Sequence, residues 1–250
     1  MSVLKKFDDL KDRLAKKIGL SQTPVPGFIM GLSGTDSIIA FLLLYQTLNA
    51  LNPGKRVGLL GIHYVKDLRQ RSWFEREVIP WLQKMCPFAD IRVEVPLGGN
   101  QDPQRWADLN LRSLNAVTHL DGRVIITPLE IGHNYWVVNT INATEHELGT
   151  YAVASKIASI APIRSLWKTE ILQLCKAFGV PKKAIDYARL PDCLCGRAEL
   201  AAENIELIDD ILRFRLDPTA HDPELLRKLF EFIKSEKDYN GFKIRTPFLI

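Results

Sequence analysis

Cysteine is scarce here. Four in 250 residues are too few for a disulfide scaffold. Cys86 and Cys175 stand alone in apolar or helical surroundings and read as small core residues. Cys193 and Cys195 form a C-x-C, whereas a zinc ribbon needs C-x-x-C pairs, and no second pair or neighbouring histidine accompanies them. Long apolar runs are also missing. The longest, Ile38 to Tyr45, has 8 residues against about 20 for a membrane span. No charge sign dominates: 33 Lys plus Arg against 29 Asp plus Glu leave +4. That suits a phosphate-bearing small molecule and is too weak to argue a nucleic-acid groove. Met1 to Asp9 carries acids early and has no apolar signal segment. A soluble, cytoplasmic chain with no membrane or nucleic-acid partner is expected. There is no G-x-x-x-x-G-K-[ST], so no Walker loop. No G-x-G-x-x-G follows a strand, which argues against a dinucleotide oxidoreductase. Without repeats, low-complexity segments or a long polar linker, one domain over residues 1–250 is expected.

What is present alternates. Leu4, Phe7, Leu10, Leu14 and Ile18 mark one face of a helix. Gly27 to Leu32 reads as a buried strand and Ile38 to Leu51 as a buried helix. Val57 to His63 is a second strand, with Gly58 and Gly61 marking close packing. Ser72 to Met85 reads as a helix with a kink at Pro80. Ile91 to Val95, Val124 to Thr127 and Trp136 to Thr140 read as further strands. Asp102 to Val117 and Glu145 to Ile157 read as helices. Helices predominate after residue 160: one ends at Phe178 before Gly179-Val180-Pro181, then Ile205 to Phe214 and Pro223 to Ile233 follow. The alternation predicts an α/β fold, a parallel sheet with helices on both faces and a helical C-terminal part. Ligands of such sheets bind beyond the C-terminal strand ends. Two polar clusters fall there, Ser33 to Ser37 and Asn142 to Glu145.

Ser33-Gly34-Thr35-Asp36-Ser37 joins a strand to a helix. Small residues let backbone N–H groups approach a phosphate, and the helix N-terminus adds positive character. The hydroxyls of Ser33, Thr35 and Ser37 can donate to phosphate oxygens. Asp36 would repel a bare phosphate, which points to a bridging Mg²⁺. The same five residues also read as a helix cap with no ligand. His63 ends the second strand, as an adenine contact or a packed histidine. His119, His133 and His146 show no metal spacing, although His146 adjoins Glu145. The five tryptophans are scattered and read as core or interface residues.

Gly31-Leu32-Ser33-Gly34-Thr35-Asp36-Ser37 resembles the S-G-G-x-D-S pyrophosphate loop of the N-type ATP pyrophosphatases, one glycine shorter. Val137 to Glu145 is similar to the strand and G-T-x-N-x-x-E segment of the ammonia-dependent NAD synthetases, with Gly149 where those enzymes carry a glycine. Lys168-Thr169-Glu170-Ile171 through Gly179-Val180-Pro181 resembles their T-K helix ending in G-(V/A)-P. Ile205 to Leu212 resembles their Y-x-x-(I/L)-D-x-x-L helix. Ser235-Glu236-Lys237 and Lys243-Ile244-Arg245-Thr246-Pro247 resemble their S-E-H-K-R-x-x-P ending with an insertion. The matches run in the family's order over most of the chain.

The resemblance implies a divergent member with a Rossmann-like sheet of the adenine nucleotide alpha hydrolase type. It implies a homodimer, for which the apolar first helix and the helical second half offer surfaces. ATP and Mg²⁺ would adenylate the carboxylate of deamido-NAD. Ammonia, free or delivered by a partner, would displace AMP to give the amide. Carried onto this chain, Gly31, Ser33, Gly34, Thr35, Asp36, Ser37, His63, Thr140 and Lys168 would bind ATP. Asp36 and Glu145 would be the catalytic metal ligands. Asn142, Lys156, Lys243 and Arg245 would bind substrate. Arg112 lies on the helix that carries ATP-contacting arginines in the family. Leu148 to Ile163 has Lys156 as its one charged residue, where the family carries a lysine and aspartates. The acidic run after the family's P-(S/T)-A-D-L loop is absent near Asp192. The identity of the acid therefore stays open. So do two rivals: an enzyme of this fold adenylating another carboxylate or a tRNA base, and a silent nucleotide-binding scaffold.

Overall fold

The apolar run after the first helix forms a central strand. A computed structural model describes residues 2–19, 27–55, 57–65, 72–95, 102–114, 116–120, 123–127, 135–188 and 197–244. They fall into two compact units, Met1–Thr140 with Ala154–Pro162, and Ile141–Val153 with Ile163–Ile250.

The first unit carries the sheet. After α1 (Val3–Gly19) come β1 (Gly27–Gly31), α2 (Thr35–Leu51) and β2 (Leu59–Tyr64). A π-helical turn (Phe74–Val78) leads into α3 (Ile79–Met85), then β3 (Asp90–Glu94), α4 (Asp102–Leu114) and finally β6 (Tyr135–Val137), which follows a separate hairpin. Pro80 sits in the first turn of α3, where its missing N–H needs no partner. The strands are parallel in the order β3-β2-β1-β6. Phe28, Ile29 and Met30 of β1 are fully buried, as a strand covered on both faces requires. On one face Ile29, Ile62 and Val137 pack with Leu109 of α4. On the other lies α2, and a Cβ on Gly61 would stand 2.8 Å from the Phe41 ring, so only glycine permits that approach. Helix α2 is buried nearly all round, because α1 lays Phe7, Leu10, Leu14 and Ile18 upon it while Leu4 stays exposed. The apolar stripe of α1, Leu4 apart, is thus covered within the chain.

The chain builds outward from β1 to β2 and β3, then returns to the other side of β1 as β6. That reversal opens a crevice at the C-terminal strand ends between β1 and β6, where open parallel sheets bind ligands.

One part of the expected pattern is different. Residues 116–120 form β4 (Ala116–Leu120), antiparallel to β5 (Arg123–Thr127) in a separate two-stranded sheet. The helix expected to reach Val117 ends at Leu114. Asp121-Gly122 between the two strands is a hairpin turn signal, and it prevails over the helical reading.

The second unit is helical: α5 (Ala143–Leu148), α6 (Lys168–Ala177), α7 (Lys182–Tyr187), α8 (Arg197–Glu203), α9 (Ile205–Leu212) and α10 (Pro223–Ile244). Its core gathers Leu148, Ile208, Leu212, Leu229 and Ile233. The helix expected over Glu145 to Ile157 is instead α5, closed by Gly149 at φ 71°, then a 3₁₀ turn over Val153–Ile157. A left-handed glycine is an ordinary helix stop. Helix α10 continues eleven residues past the expected Ile233, where long-range contacts described below hold it. Helix α9 ends with Phe214 at φ 56°, its N–H bonded to Ile211 O and that of Arg215 to Asp210 O, a Schellman closure with phenylalanine in the position glycine usually takes.

Candidate active site

The loop after β1 is shorter than expected. Thr35, Asp36 and Ser37 form the first turn of α2, leaving Leu32, Ser33 and Gly34 as the connection. The Ser37 hydroxyl accepts from the N–H of Ser33 (2.9 Å) and of Gly34 (3.1 Å) and donates to the Gly34 carbonyl (2.8 Å). Its contribution here is to the shape of the loop. Thr35 is buried and its hydroxyl lies 3.3 Å from an Asp36 carboxylate oxygen. Asp36 is half-buried, Ser33 is exposed, and no described residue stands within 4 Å of where a Gly34 Cβ would be. Open space over Gly34, the N-terminal end of a 17-residue helix and one carboxylate in its first turn fit a phosphate with a bridging cation. Gly31, at the end of β1, faces Leu109 of α4.

His63 ties the ends of two strands together. Its Nδ1 lies 2.7 Å from the Leu32 carbonyl, so that nitrogen carries the proton and donates. The ring stacks on Phe74 at 4.5 Å. Burial lowers its pKa below the ordinary histidine value, opposed by the Leu32 carbonyl and Glu75. On the other side of the crevice, Thr140 follows β6. That end is braced by the returning segment: Asn139 N–H donates to Ile160 O at 2.7 Å, and its side-chain amide to Ser155 O at 3.1 Å. The sheet therefore brings the Ser33–Ser37 turn, His63 and Thr140 to one edge. Lys156 lies half-buried in the bracing segment.

In the second unit Asn142 and Glu145 form a capping box. Glu145 N–H donates to Asn142 Oδ1 at 2.9 Å, and Asn142 N–H to Glu145 Oε2 at 3.1 Å. The N-x-x-E spacing is the signature of that motif and explains why α5 starts at Ala143 rather than at Glu145. Lys168 opens α6, its backbone N–H on Thr144 Oγ1 at 3.0 Å. Lys243 gives its ammonium to Gly149 O at 3.1 Å, while Tyr151 donates to Lys243 O at 2.7 Å. The last turn of α10 is thereby latched to the chain just after α5. His146 stacks on Tyr151 and contacts the Arg164 guanidinium through Nε2. Burial first, then Arg164, lowers its pKa.

Arg112 lies on α4, the helix expected to carry it. It is buried, with Nε on Asp108 Oδ2 at 2.8 Å and Nη1 on Glu94 Oε2 at 2.6 Å, an internal ion cluster that also takes the Tyr64 hydroxyl. Arg245, Cys193, Cys195 and His133 lie outside the described residues. Cys86 and Cys175 are buried thiols. Among the described residues no group of three or more His, Cys, Asp and Glu could hold a metal, so a cation here would depend on phosphate oxygens as well as carboxylates. No helix among them is long and apolar enough to cross a membrane. Asp209, read from the sequence only as part of a helix motif, is buried and bonded to Thr144 and Thr169.

Residues 125–247 match the model of the family described as NAD synthase. The chain is 33% identical over 112 residues to the NH3-dependent NAD synthetase of Thermotoga neapolitana, 41% of this chain and 38% of that protein. It is 28% identical over 111 residues to the enzyme of the same name from Thermotoga maritima, 42% of this chain and 40% of that protein. The matched stretch thus spans about two fifths of each relative's length. Among solved structures, NMN synthetase from Francisella tularensis superimposes with a TM-score of 0.71 at 17% identity, covering 100% of this chain and 99% of that one. NH3-dependent NAD synthetase from Campylobacter jejuni does so with a TM-score of 0.62 at 17% identity, covering 100% of both chains. The fold is theirs, and over residues 125–247, just under half of its length, the chain resembles the NAD synthase family at low identity.

Proposed function

We propose that the chain is an ATP-dependent ligase that adenylates the carboxylate of deamido-NAD and amidates it with ammonia, releasing AMP and pyrophosphate. The observation that carries this reading is the Ser33–Ser37 turn at the sheet's crevice, open over Gly34 among the described residues, in a chain that matches this family's model over residues 125–247. A carboxylate oxygen would attack the α-phosphorus as pyrophosphate leaves. The ammonia nitrogen would then attack the acyl carbon as AMP leaves, and nitrogen would lose a proton. Mg²⁺, when bound, supplies charge to the triphosphate and the transition state. Asp36 and Glu145 are its proposed carboxylates. Ser33, Gly34 and Thr35 present the turn to the phosphates, with Ser37 holding its shape and His63 fixing the carbonyl before it. Thr140 and Lys168 complete the ATP contacts, and Asn142, Lys156, Lys243 and Arg245 are assigned to the acid. A homodimer is proposed from the family resemblance and the helical second half.

A second reading takes a smaller acid, nicotinate mononucleotide. Two observations favour it: the superposition on an NMN synthetase, and the single charge between Leu148 and Ile163. The test is pyrophosphate release from ATP and Mg²⁺ with ammonia, run in parallel on deamido-NAD and nicotinate mononucleotide. Release with deamido-NAD supports the first reading, and release with the mononucleotide alone supports the second. No release with either overturns both. Glu145→Gln keeps the capping box and removes the charge. It should slow release by about a hundredfold or more. A wild-type rate with an unchanged Mg²⁺ requirement would make Glu145 a helix-end residue only.

A further inference from the structure

Asp209 on α9 is a carboxylate 1% exposed, and burying a charge is costly unless its oxygens are satisfied. Both are. Oδ1 accepts from the Thr144 hydroxyl at 2.5 Å. Oδ2 accepts from the N–H of Thr169 at 2.9 Å and from its hydroxyl at 2.7 Å. The Thr144 hydroxyl accepts in turn from the N–H of Lys168. Burial raises the Asp209 pKa, opposed by these donors and by Arg213. Helix α6 has no side-chain cap at Trp167, and Glu170 of its first turn reaches back to the Trp167 N–H, so Asp209 supplies from another helix the acceptor for the Thr169 N–H and a second negative charge at that end.

The residues Asp209 holds are telling. Thr144 precedes Glu145, and Thr169 follows Lys168. Asp209 therefore grips the backbone beside two residues that the functional reading assigns to metal and ATP, while both its own oxygens are occupied by protein donors. We propose that Asp209 is a positioning residue: through Thr144 and Thr169 it fixes Glu145 and Lys168 relative to each other for Mg-ATP. This rests on the reading of Glu145 and Lys168 given above.

The test uses the full chain and Mg-ATP as the probe, by calorimetry well below the melting temperature. Thr144→Val keeps the shape and removes the hydroxyl. Thr144→Val and Asp209→Asn should each weaken Mg-ATP binding roughly 10–100-fold, the usual effect of losing a group that orients a ligand. They should also raise the Mg²⁺ needed for half-saturation and speed hydrogen exchange at the Lys168 amide. Thr144→Ser should restore all three. Leu229→Ala, in the core of the same unit, should lower the melting temperature and leave affinity unchanged. Should Asp209→Asn fail to fold, the Thr144 pair decides. Wild-type affinity and Mg²⁺ dependence in Thr144→Val, with Glu145→Gln and Lys168→Ala impaired, would overturn the positioning role alone. Wild-type binding in Glu145→Gln and Lys168→Ala would overturn the functional reading and this proposal with it.

Discussion

Arg112→Met should destabilise the sheet-bearing unit heavily. Arg112 bonds two carboxylates, Asp108 on its own helix and Glu94 at the end of β3, and the Tyr64 hydroxyl shares the same Asp108 oxygen at 2.6 Å. The other Asp108 oxygen is buried with no hydrogen-bond partner among the described residues. Methionine would leave Asp108 charged and largely uncompensated in the interior, which costs about 3–5 kcal/mol. Glu94, 21% exposed, can turn to water, so the lower end of that range is expected. At roughly 2–4 °C per kcal/mol for a domain of this size, melting should fall by roughly 6–12 °C. Urea titration followed by tryptophan fluorescence is a suitable assay, because Trp73, Trp81, Trp106 and Trp136 lie in the sheet-bearing unit and only Trp167 in the other. Adding Asp108→Asn removes the stranded charge, so the double variant should recover part of the loss and the cycle should be non-additive. A single-variant loss under about 1 kcal/mol, or strict additivity, would refute the reasoning. Weakened ATP binding at unchanged stability would return Arg112 to a ligand-contacting role.

Gly149→Ala should cost about 2 kcal/mol or more, because the residue sits at φ 71° and its Cβ would stand 2.5 Å from that of Asn240; chemical denaturation checks this, and a loss below about 0.5 kcal/mol contradicts it. Phe214 is 98% exposed at φ 56°, so Phe214→Gly trades about 1–2 kcal/mol of left-handed strain against about 0.5–1 of glycine entropy. Thermal melting should hold steady or rise; a clear fall would show that the ring packs on something. Since the folded pKa of His63 is depressed, the unfolded chain binds its proton first as pH falls. Its contribution to stability is therefore complete above about pH 6.5 and declines as pH drops below that unfolded value. His63→Gln should flatten this part of the stability–pH curve, and an unaltered curve would mean that His63 does not titrate in that window.

How much of this was legible depends on how local each signal is. Continuous apolar runs placed β1, α2 and β2, because a parallel strand covered on both faces leaves no polar position. The strand-to-helix turn at Ser33–Ser37 was readable for the same reason, being punctuation between two such runs. Some local signals were present but outweighed. Asp121-Gly122 announced a hairpin, Asn142 to Glu145 a capping box and Gly149 a helix stop, yet the helical reading ran past Leu114 into the hairpin's first strand, began at Glu145 instead of after the Asn142 cap, and continued through Gly149. Other features had no local signal. Asp209 meets Thr144 across 65 positions, and His63 meets the Leu32 carbonyl across 31. The far half of α10 persists because Asn240 and Lys243 close on Gly149. The burial of Arg112 was equally hidden, because a buried arginine and a ligand-binding one look alike until the fold brings Glu94 beside it.

The returning segment Ala154–Pro162 has a consequence for how the protein is made and cut. Val138 bridges to Ile160, and the end of β6 is braced by residues synthesised after the first helix of the other unit. On the ribosome the sheet cannot finish until some twenty further residues have emerged. During that interval the edge of β6 is bare and open to pairing with another chain. No single cut separates the two units either. Ending the chain at Thr140 strips Asn139 of Ser155 and Ile160, and starting it at Ile141 carries the brace away with the wrong half. Nor does the family-matching stretch, 125–247, coincide with either unit. The interleaved path makes the whole chain the smallest piece worth expressing.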